Sequence, residues 1–281
     1  MDWFVEPLGY GFIRIGLLAG LLTVVMTSVV GTWVVLRGMS FMGDALAHGV
    51  LPGIAVAHLA AFDLTIGAAL GAGVMVAGVN VVHRRARLAE DVGIALLFVG
   101  MLALGVAIVS TSSSFAGALT SFLFGDPLGV TTQDVVVTAV AVVVTLVVSV
   151  ALYRPFLVLT FSEVKAEALG LRPKATHAAL LALVALAIVT SFRTVGTLLV
   201  FAFIVAPPAT AALFARRVPV MTLAAIGFGA VGVVVGMLVS YHMGTAAAPT
   251  IALVTVLEFF LVLTVRDSIT AARRRSAAPA P

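Results

Sequence analysis

The sequence predicts an all-α polytopic membrane protein with about nine (eight to nine) transmembrane helices. Of its 281 residues, 62% are hydrophobic and 10% are charged, whereas soluble domains carry about 25% charged residues. A helix needs roughly 20 apolar residues to cross a bilayer, and several stretches reach that length. The basic residues cluster between alternate stretches, as in the cytoplasmic loops of membrane proteins. The composition therefore excludes a soluble domain.

The nine apolar stretches are taken in chain order. They cover residues 11–36, 44–62, 64–82, 92–112, 132–152, 174–192, 194–215, 219–240 and 250–266. The second stretch is the least regular, because Asp44, His48, Pro52 and His58 interrupt it. If one stretch is re-entrant or interfacial, the number of spans falls to eight.

The distribution of Lys and Arg predicts the orientation. With the N-terminus outside, the inner side receives 14 basic residues and the outer side receives only Arg14 and Arg193. Such an excess marks the cytoplasmic side, so the C-terminus is expected in the cytoplasm. The net charge of +4 thus reflects topology, and no nucleic-acid partner is predicted. The acidic N-terminus lacks a small-residue cleavage site, which predicts no cleaved signal peptide.

Two connections are more than simple turns. The outer connection, 112–132, contains a short helix broken by Gly and Pro, and either an interfacial lid or a direct contact with substrate would explain it. The cytoplasmic connection predicts a helix at about 161–171, in which Thr160 and Glu163 form a capping box and Gly170 ends the helix. This short helix is amphipathic and could lie among lipid headgroups or dock into a groove of a partner.

The chain divides into a transmembrane domain, 1–266, which includes the helix at 161–171, and a cytoplasmic tail, 267–281. The tail ends in three arginines followed by Ser, Ala and Pro. We expect it to be disordered, with the arginines held at the anionic inner leaflet.

Asp44 and His48 are the strongest candidates for a functional site. Residues four apart share one face of a helix, and ionisable residues within a membrane span are functional candidates by default. Carboxylate oxygen and imidazole nitrogen both bind divalent cations. A symmetric dimer would bring two such pairs together across its axis. The competing interpretation is structural: Asp44 would cap a helix that begins near Ala45.

Three other ionisable residues are weaker candidates for an ion path. His58 and His242 lie near the outer ends of their spans, and Glu258 lies about halfway along the last one. A carboxylate at that depth should be protonated or paired, and the sequence does not identify its partner.

Several chemistries are excluded by missing residues. The chain has no cysteine, which rules out disulfides, thiolate metal sites and cysteine nucleophiles. A metal would therefore be bound by oxygen or imidazole, which suits Mn²⁺ or Zn²⁺ better than Cu⁺. Its only lysines, Lys165 and Lys174, do not follow glycine, so no phosphate-binding P-loop is present. The chain is not expected to hydrolyse ATP or to be an enzyme.

Four segments resemble the membrane permeases of bacterial ABC importers for manganese and zinc. They occur in the family's order and are 37–53 (RGMSFMGDALAHGVLPG), 124–130 (FGDPLGV), 163–171 (EVKAEALGL) and 195–211 (VGTLLVFAFIVAPPATA). The resemblance covers nearly the whole chain. One departure is the outer connection 240–250, which lacks the acidic residue and the Pro-Ser-Gly order usual there.

The resemblance implies a fold related to cobalamin and iron-chelate importer permeases and a homodimer in the bacterial plasma membrane. It also implies two copies of a cytoplasmic ATP-binding subunit and an extracytoplasmic metal-binding protein that delivers Mn²⁺ or Zn²⁺. No permanently bound cofactor is implied. Asp44 and His48 would lie on the metal path. The residues that contact the ATPase would be Glu163, Val164, Ala168, Leu169 and Gly170.

Two other functions remain open at this point. A permease for an iron chelate or cobalamin would need a wide and less charged path, which the Asp44–His48 pair disfavours. A proton-coupled secondary transporter would need no ATPase and would use Asp44, His48 and Glu258 as a relay. Sequence does not distinguish manganese from zinc, because carboxylate and imidazole serve both.

Overall fold

The computed structural model describes residues 6–7, 9–85, 90–110 and 129–276, and all regular secondary structure in these ranges is helical. We number the helices α1 to α11. They are α1 Gly11–Leu36, α2 Ser40–Gly49, α3 Leu51–Leu59, α4 Leu64–Arg85, α5 Glu90–Val109, α6 Thr132–Ala151, α7 Tyr153–Phe161, α8 Glu163–Ala168, α9 Pro173–Ala212, α10 Val218–Met243 and α11 Ala247–Ser276.

In the described part of the chain, nine helical segments are long and apolar enough to cross a membrane, which confirms the predicted number. The irregular second stretch is the span Ser40–Leu59, which consists of α2 and α3. The helix breaks there because Pro52 has no N–H to donate to the carbonyl group of His48. The outer short helix predicted within 112–132 falls largely outside the described residues.

Helix α9 contains two spans. A straight helix of the 40 residues Pro173–Ala212 would be about 60 Å long, twice the hydrocarbon thickness of about 30 Å. The helical dihedrals are interrupted at Gly196, where φ is 77° and ψ is 158°. Glycine adopts positive φ without the steric cost that a side chain would impose. The two halves are Pro173–Phe192 and Thr194–Ala212, which we call α9a and α9b.

The two halves of α9 run in opposite directions beside α1. The antiparallel direction of α9a follows from two pairs, Arg37 with His177 at 2.8 Å and Thr23 with Ser191 at 3.5 Å. Helix α10 is also antiparallel to α1, because Thr222 is bonded to Thr32 whereas Val233 lies beside Gly20, and a short turn joins α10 to α9b as a hairpin. Therefore α9b runs in the same direction as α1.

Glycines allow the backbones of α3 and α4 to touch. A Cβ atom on Gly53 would overlap the carbonyl oxygen of Gly67 and the amide nitrogen of Gly71. Small residues permit such close approach between helices in membranes, where packing rather than hydrophobic burial drives association. This crossing holds α3 against α4. Helix α3 is the second half of the span whose first half, α2, contains Asp44 and His48.

The cytoplasmic connection forms the predicted helix with different ends. Helix α8 begins after Ser162, whose hydroxyl accepts a hydrogen bond from the N–H of Lys165 at 3.2 Å. Thr160 instead belongs to α7 and donates to the Phe156 carbonyl, so the predicted Thr160 capping box is wrong. Ser162 is extended and can cap α8, whereas Thr160 is still helical. The predicted stop is confirmed, since Gly170 has φ 71°.

The prediction of a disordered tail over 267–281 is wrong for its first part. Helix α11 extends to Ser276, past the last candidate span, which ends at Thr270. Ala and Arg are strong helix formers, and no Gly or Pro interrupts the sequence before Pro279. Residues 277–281 lie outside the described part of the chain.

Candidate metal site and coupling surface

Asp44 and His48 lie one turn apart on α2. The His48 Nε2 atom is 3.4 Å from Asp44 Oδ1, and the two side chains are 25% and 26% exposed. The helix begins at Ser40 with Met39 as its N-cap residue. Asp44 therefore lies inside the helix, and the structural interpretation in which it caps a helix near Ala45 is wrong.

The opposite face of α2 is buried against α9b and α4. Met42, Leu46 and Ala47 are almost fully buried. A Cβ atom on Gly43 would approach Phe201 and Ile204 of α9b to 3.3 Å. Because one face of α2 is fixed in this way, Asp44 and His48 are directed to the other face, where each keeps partial access to solvent.

Two phenylalanines border the pair, and the sequence did not single them out. The ring of Phe98 on α5 meets the imidazole of His48 edge-on, with centroids 5.6 Å apart, and meets Phe41 in the same manner at 5.5 Å. Edge-to-face contact restricts the orientation of the imidazole ring. The sequence could have indicated Phe41, because its spacing places it on the same helix face as Asp44 and His48. The position of Phe98 beside them could be known only from the tertiary structure.

The donor set in one chain is small. Among the described residues, no group of three or more His, Asp or Glu side chains is placed to hold a metal ion. A single chain therefore offers one carboxylate and one imidazole at this position. Mn²⁺ and Zn²⁺ prefer four or more ligands, so a tight site would need donors from another molecule.

The other predicted ion-path residues do not join the pair. His58 lies exposed in the last turn of α3, and His242 lies exposed in the last turn of α10 with its ring edge-on to Tyr241 at 5.1 Å. Glu258 lies on α11, and neither of its buried carboxylate oxygens has a hydrogen-bond partner among the described residues. The proposed relay of Asp44, His48 and Glu258 is not assembled in this conformation.

A second acidic position has a structural explanation. A cavity of about 340 Å³ is lined by Asp63 and Asp134 together with threonines and Gln133. Asp63 accepts hydrogen bonds from the N–H groups of Thr65 and Ile66 at the start of α4. Asp134 forms a capping box with Thr131 at the start of α6. Both carboxylates thus cap helices.

The predicted coupling residues form an exposed surface around α8. Glu163, Val164, Ala168, Leu169 and Gly170 are all exposed. The large apolar side chains among these are well exposed: Val164 is 77% and Leu169 is 66% exposed, and the preceding Phe161 is 80% exposed. Only Ala166, at 1% exposure, anchors α8 to the protein.

Charged groups lie beside this apolar surface. A groove of about 380 Å³ runs between α8 and the start of α9. It is lined by Glu163, Val164, Glu167, Arg172, Pro173 and Lys174. Exposed apolar residues rimmed by charges are typical of protein-docking sites.

Comparison with known proteins identifies the family of the chain. Residues 9–266 match the family model described as the ABC 3 transport family. Over 259 residues the chain is 34% identical to the manganese transport system membrane protein MntC of Listeria innocua, covering 92% of each chain. It is also 34% identical over 262 residues to a protein of Haemophilus influenzae described as a probable iron transport system membrane protein, covering 93% of this chain and 96% of that one.

A solved structure has the same fold. PsaBC from Streptococcus pneumoniae, determined in complex with a Fab, superposes with a TM-score of 0.81 at 29% identity, covering 92% of this chain and 94% of that chain. The matches extend along nearly the whole chain, including the segments that contain Asp44, His48 and α8. The protein is therefore a transmembrane permease of the ABC 3 transport family, a multi-pass protein of the bacterial plasma membrane.

Proposed function

We propose that this permease imports a divalent metal ion, with Mn²⁺ as its main substrate. We also propose that Asp44 and His48 bind this ion within the membrane. The observation that carries the proposal is the half-open pair on α2, with its carboxylate and imidazole 3.4 Å apart. Relatives named for manganese and iron transport support a cation as the substrate. A large chelate or cobalamin would not need a cation-binding pair at this position.

The working unit in this proposal is a homodimer. Two copies would supply two carboxylates and two imidazoles across a two-fold axis, which completes a four-donor site. The partial exposure of both side chains leaves them accessible to a second copy. A site with few protein ligands also suits transport, because the ion must leave as readily as it enters.

A separate ATP-binding partner is needed because the chain has no P-loop, and the exposed surface around α8 offers a place for it to dock. Two copies of a cytoplasmic ATP-binding subunit would dock there and hydrolyse ATP, and an extracytoplasmic metal-binding protein would deliver Mn²⁺. Transport would proceed by alternating access. The N-terminus would lie outside and the C-terminus in the cytoplasm, as the basic residues predict.

Reconstitution tests this proposal directly. Proteoliposomes containing the permease, its ATP-binding subunit and its metal-binding protein should take up ⁵⁴Mn²⁺ only when ATP is supplied. Zn²⁺ and Fe²⁺ added as competitors would rank the metals. Uptake by the permease alone, driven by a proton gradient, would contradict the proposal and support a secondary transporter.

A further inference from the structure

The last turn of α1 contacts the segments on both sides of α8. Before α8, Trp33 packs against α7, with ring centroids 5.6 Å from Tyr153 and 5.4 Å from Phe156. After α8, Arg37 is hydrogen-bonded to His177 near the start of α9. Trp33 and Arg37 are four residues apart and therefore share one face of α1.

The contact between Arg37 and His177 has a defined polarity. Their atoms Nη1 and Nδ1 are 2.8 Å apart. A guanidinium group has donors but no acceptor, so Arg37 donates and Nδ1 of His177 accepts. The imidazole must then be neutral with its proton on Nε2. His177 is only 2% exposed, and a hydrogen bond from a charged donor in such a position is stronger than one between neutral groups.

The same turn of α1 leads directly into the candidate metal site. Gly38, with φ 68°, ends α1, and the N–H groups of Gly38 and Met39 bond to the carbonyl groups of Val35 and Val34. These two hydrogen bonds at the end of the helix form a Schellman motif. Met39 is 2% exposed and caps α2, which contains Asp44. No flexible linker separates Arg37 from the helix of the metal site.

We propose that Arg37 and His177 are positioning residues that transmit movement of α8 to Asp44 and His48. This inference rests on the function proposed above. When the ATP-binding subunits move α8, the start of α9 moves with it, and the hydrogen bond pulls the end of α1. Because α1 is joined rigidly to α2, the metal ligands are displaced relative to α5 and α9b. Trp33 provides the second attachment of α1, through α7.

The test compares ion transport with ATP consumption in the complete complex. Arg37→Met removes the donors but keeps a long apolar stem, and His177→Phe keeps a planar ring without an acceptor. We expect both variants to hydrolyse ATP at nearly the normal rate while the number of Mn²⁺ ions imported per ATP falls about tenfold, the effect of losing one charge-assisted hydrogen bond. Equilibrium binding of Mn²⁺ to the purified complex should be unchanged.

Conservative variants distinguish coupling from folding. His177→Gln retains an acceptor and Arg37→Lys retains a charged donor, so both should recover most of the transport per ATP. Arg216→Met, which removes an exposed arginine from the turn between α9 and α10, is the matched control and should behave as the unmodified protein. Thermal unfolding of each purified variant shows whether it is folded.

Three results would overturn the inference. The first is an unchanged ratio of Mn²⁺ to ATP in both Arg37→Met and His177→Phe. The second is a proportional fall of transport and ATP hydrolysis, which would indicate a purely structural bond. The third is failure of both conservative variants to restore the ratio in folded protein. Transport that persists in Asp44→Ala and His48→Ala would instead refute the proposed metal site, independently of these results.

Discussion

The imidazole Nε2 of His48 lies 3.4 Å from a carboxylate oxygen of Asp44, and both side chains keep about a quarter of their surface exposed. A carboxylate beside an imidazole is a common structural ion pair, but here it lies inside a membrane span with no third acidic or histidine ligand in the described part of the chain. This combination of proximity, access and incomplete coordination leads to the first two predictions.

Asp44→Ala and His48→Ala should each abolish ATP-dependent ⁵⁴Mn²⁺ uptake in proteoliposomes. Loss of one ligand from each subunit removes half of a four-donor site. Mutation of a residue that only hydrogen-bonds to a metal ligand already costs up to about 100-fold in affinity or activity, so we expect uptake to fall by at least about 100-fold. His58→Ala and His242→Ala are the matched controls, because these histidines are exposed and neither forms a described three-residue ligand group with the pair. Uptake that survives in the Asp44 and His48 variants would contradict the metal site.

The purified permease should bind one Mn²⁺ per two chains at this site. Four donors from two subunits define one site on a two-fold axis. Calorimetry combined with mass measurement of the complex gives the ratio directly. One Mn²⁺ per chain, with affinity that depends on Asp44, would show that each subunit binds metal without its partner's pair.

Val164→Asp and Leu169→Asp should each weaken docking of the ATP-binding subunit. Each change replaces an exposed apolar side chain on the surface around α8 by a charge, and burying such a side chain is worth about 1.5–3 kcal/mol. The affinity for the ATP-binding subunit should therefore fall at least tenfold, as measured by co-purification and by surface plasmon resonance. Lys165→Ala, an exposed change on the same helix, should leave binding intact; equal losses in all three variants would point to unfolding of α8 instead.

Gly53→Ala should destabilise the fold by about 2–3 kcal/mol, the scale of overpacking a tight contact. The new methyl group would overlap backbone atoms of Gly67 and Gly71 in α4. Gly73→Ala is the control, since nothing lies within 4 Å of a Cβ atom there; it should be neutral or stabilising by about 1 kcal/mol through helix propensity. Thermal unfolding in detergent measures both, and the same unfolding temperature for the two variants would contradict the close packing of α3 and α4.

The orientation can be tested with single cysteines, because the natural chain has none. Met243→Cys lies in an exposed position at the end of α10 and should react with an impermeant maleimide in intact cells or spheroplasts. Leu169→Cys, exposed beside α8, should react only after the membrane is opened. The reverse pattern would place the N-terminus in the cytoplasm.

Hydropathy and charge alone were sufficient to predict the helical class, the nine spans and the division near residue 193, because a bilayer requires long apolar helices whatever their packing. Local rules also predicted that Gly170 ends α8. They misplaced the start of that helix, since Ser162 and Thr160 are both acceptable caps and the end of α7 decides between them. They also missed the helical part of the tail.

The sequence by itself determined that Asp44 and His48 share a helix face, because spacing on an α-helix depends only on residue number. Tertiary structure alone decided that this face stays open, that Phe98 borders the imidazole, and that Arg37 meets His177, a residue 140 positions away. Such contacts depend on which helices become neighbours and on the reversal of direction between α9a and α9b. Neither is encoded in a local pattern, because packing between helices depends on the shapes of many side chains at once.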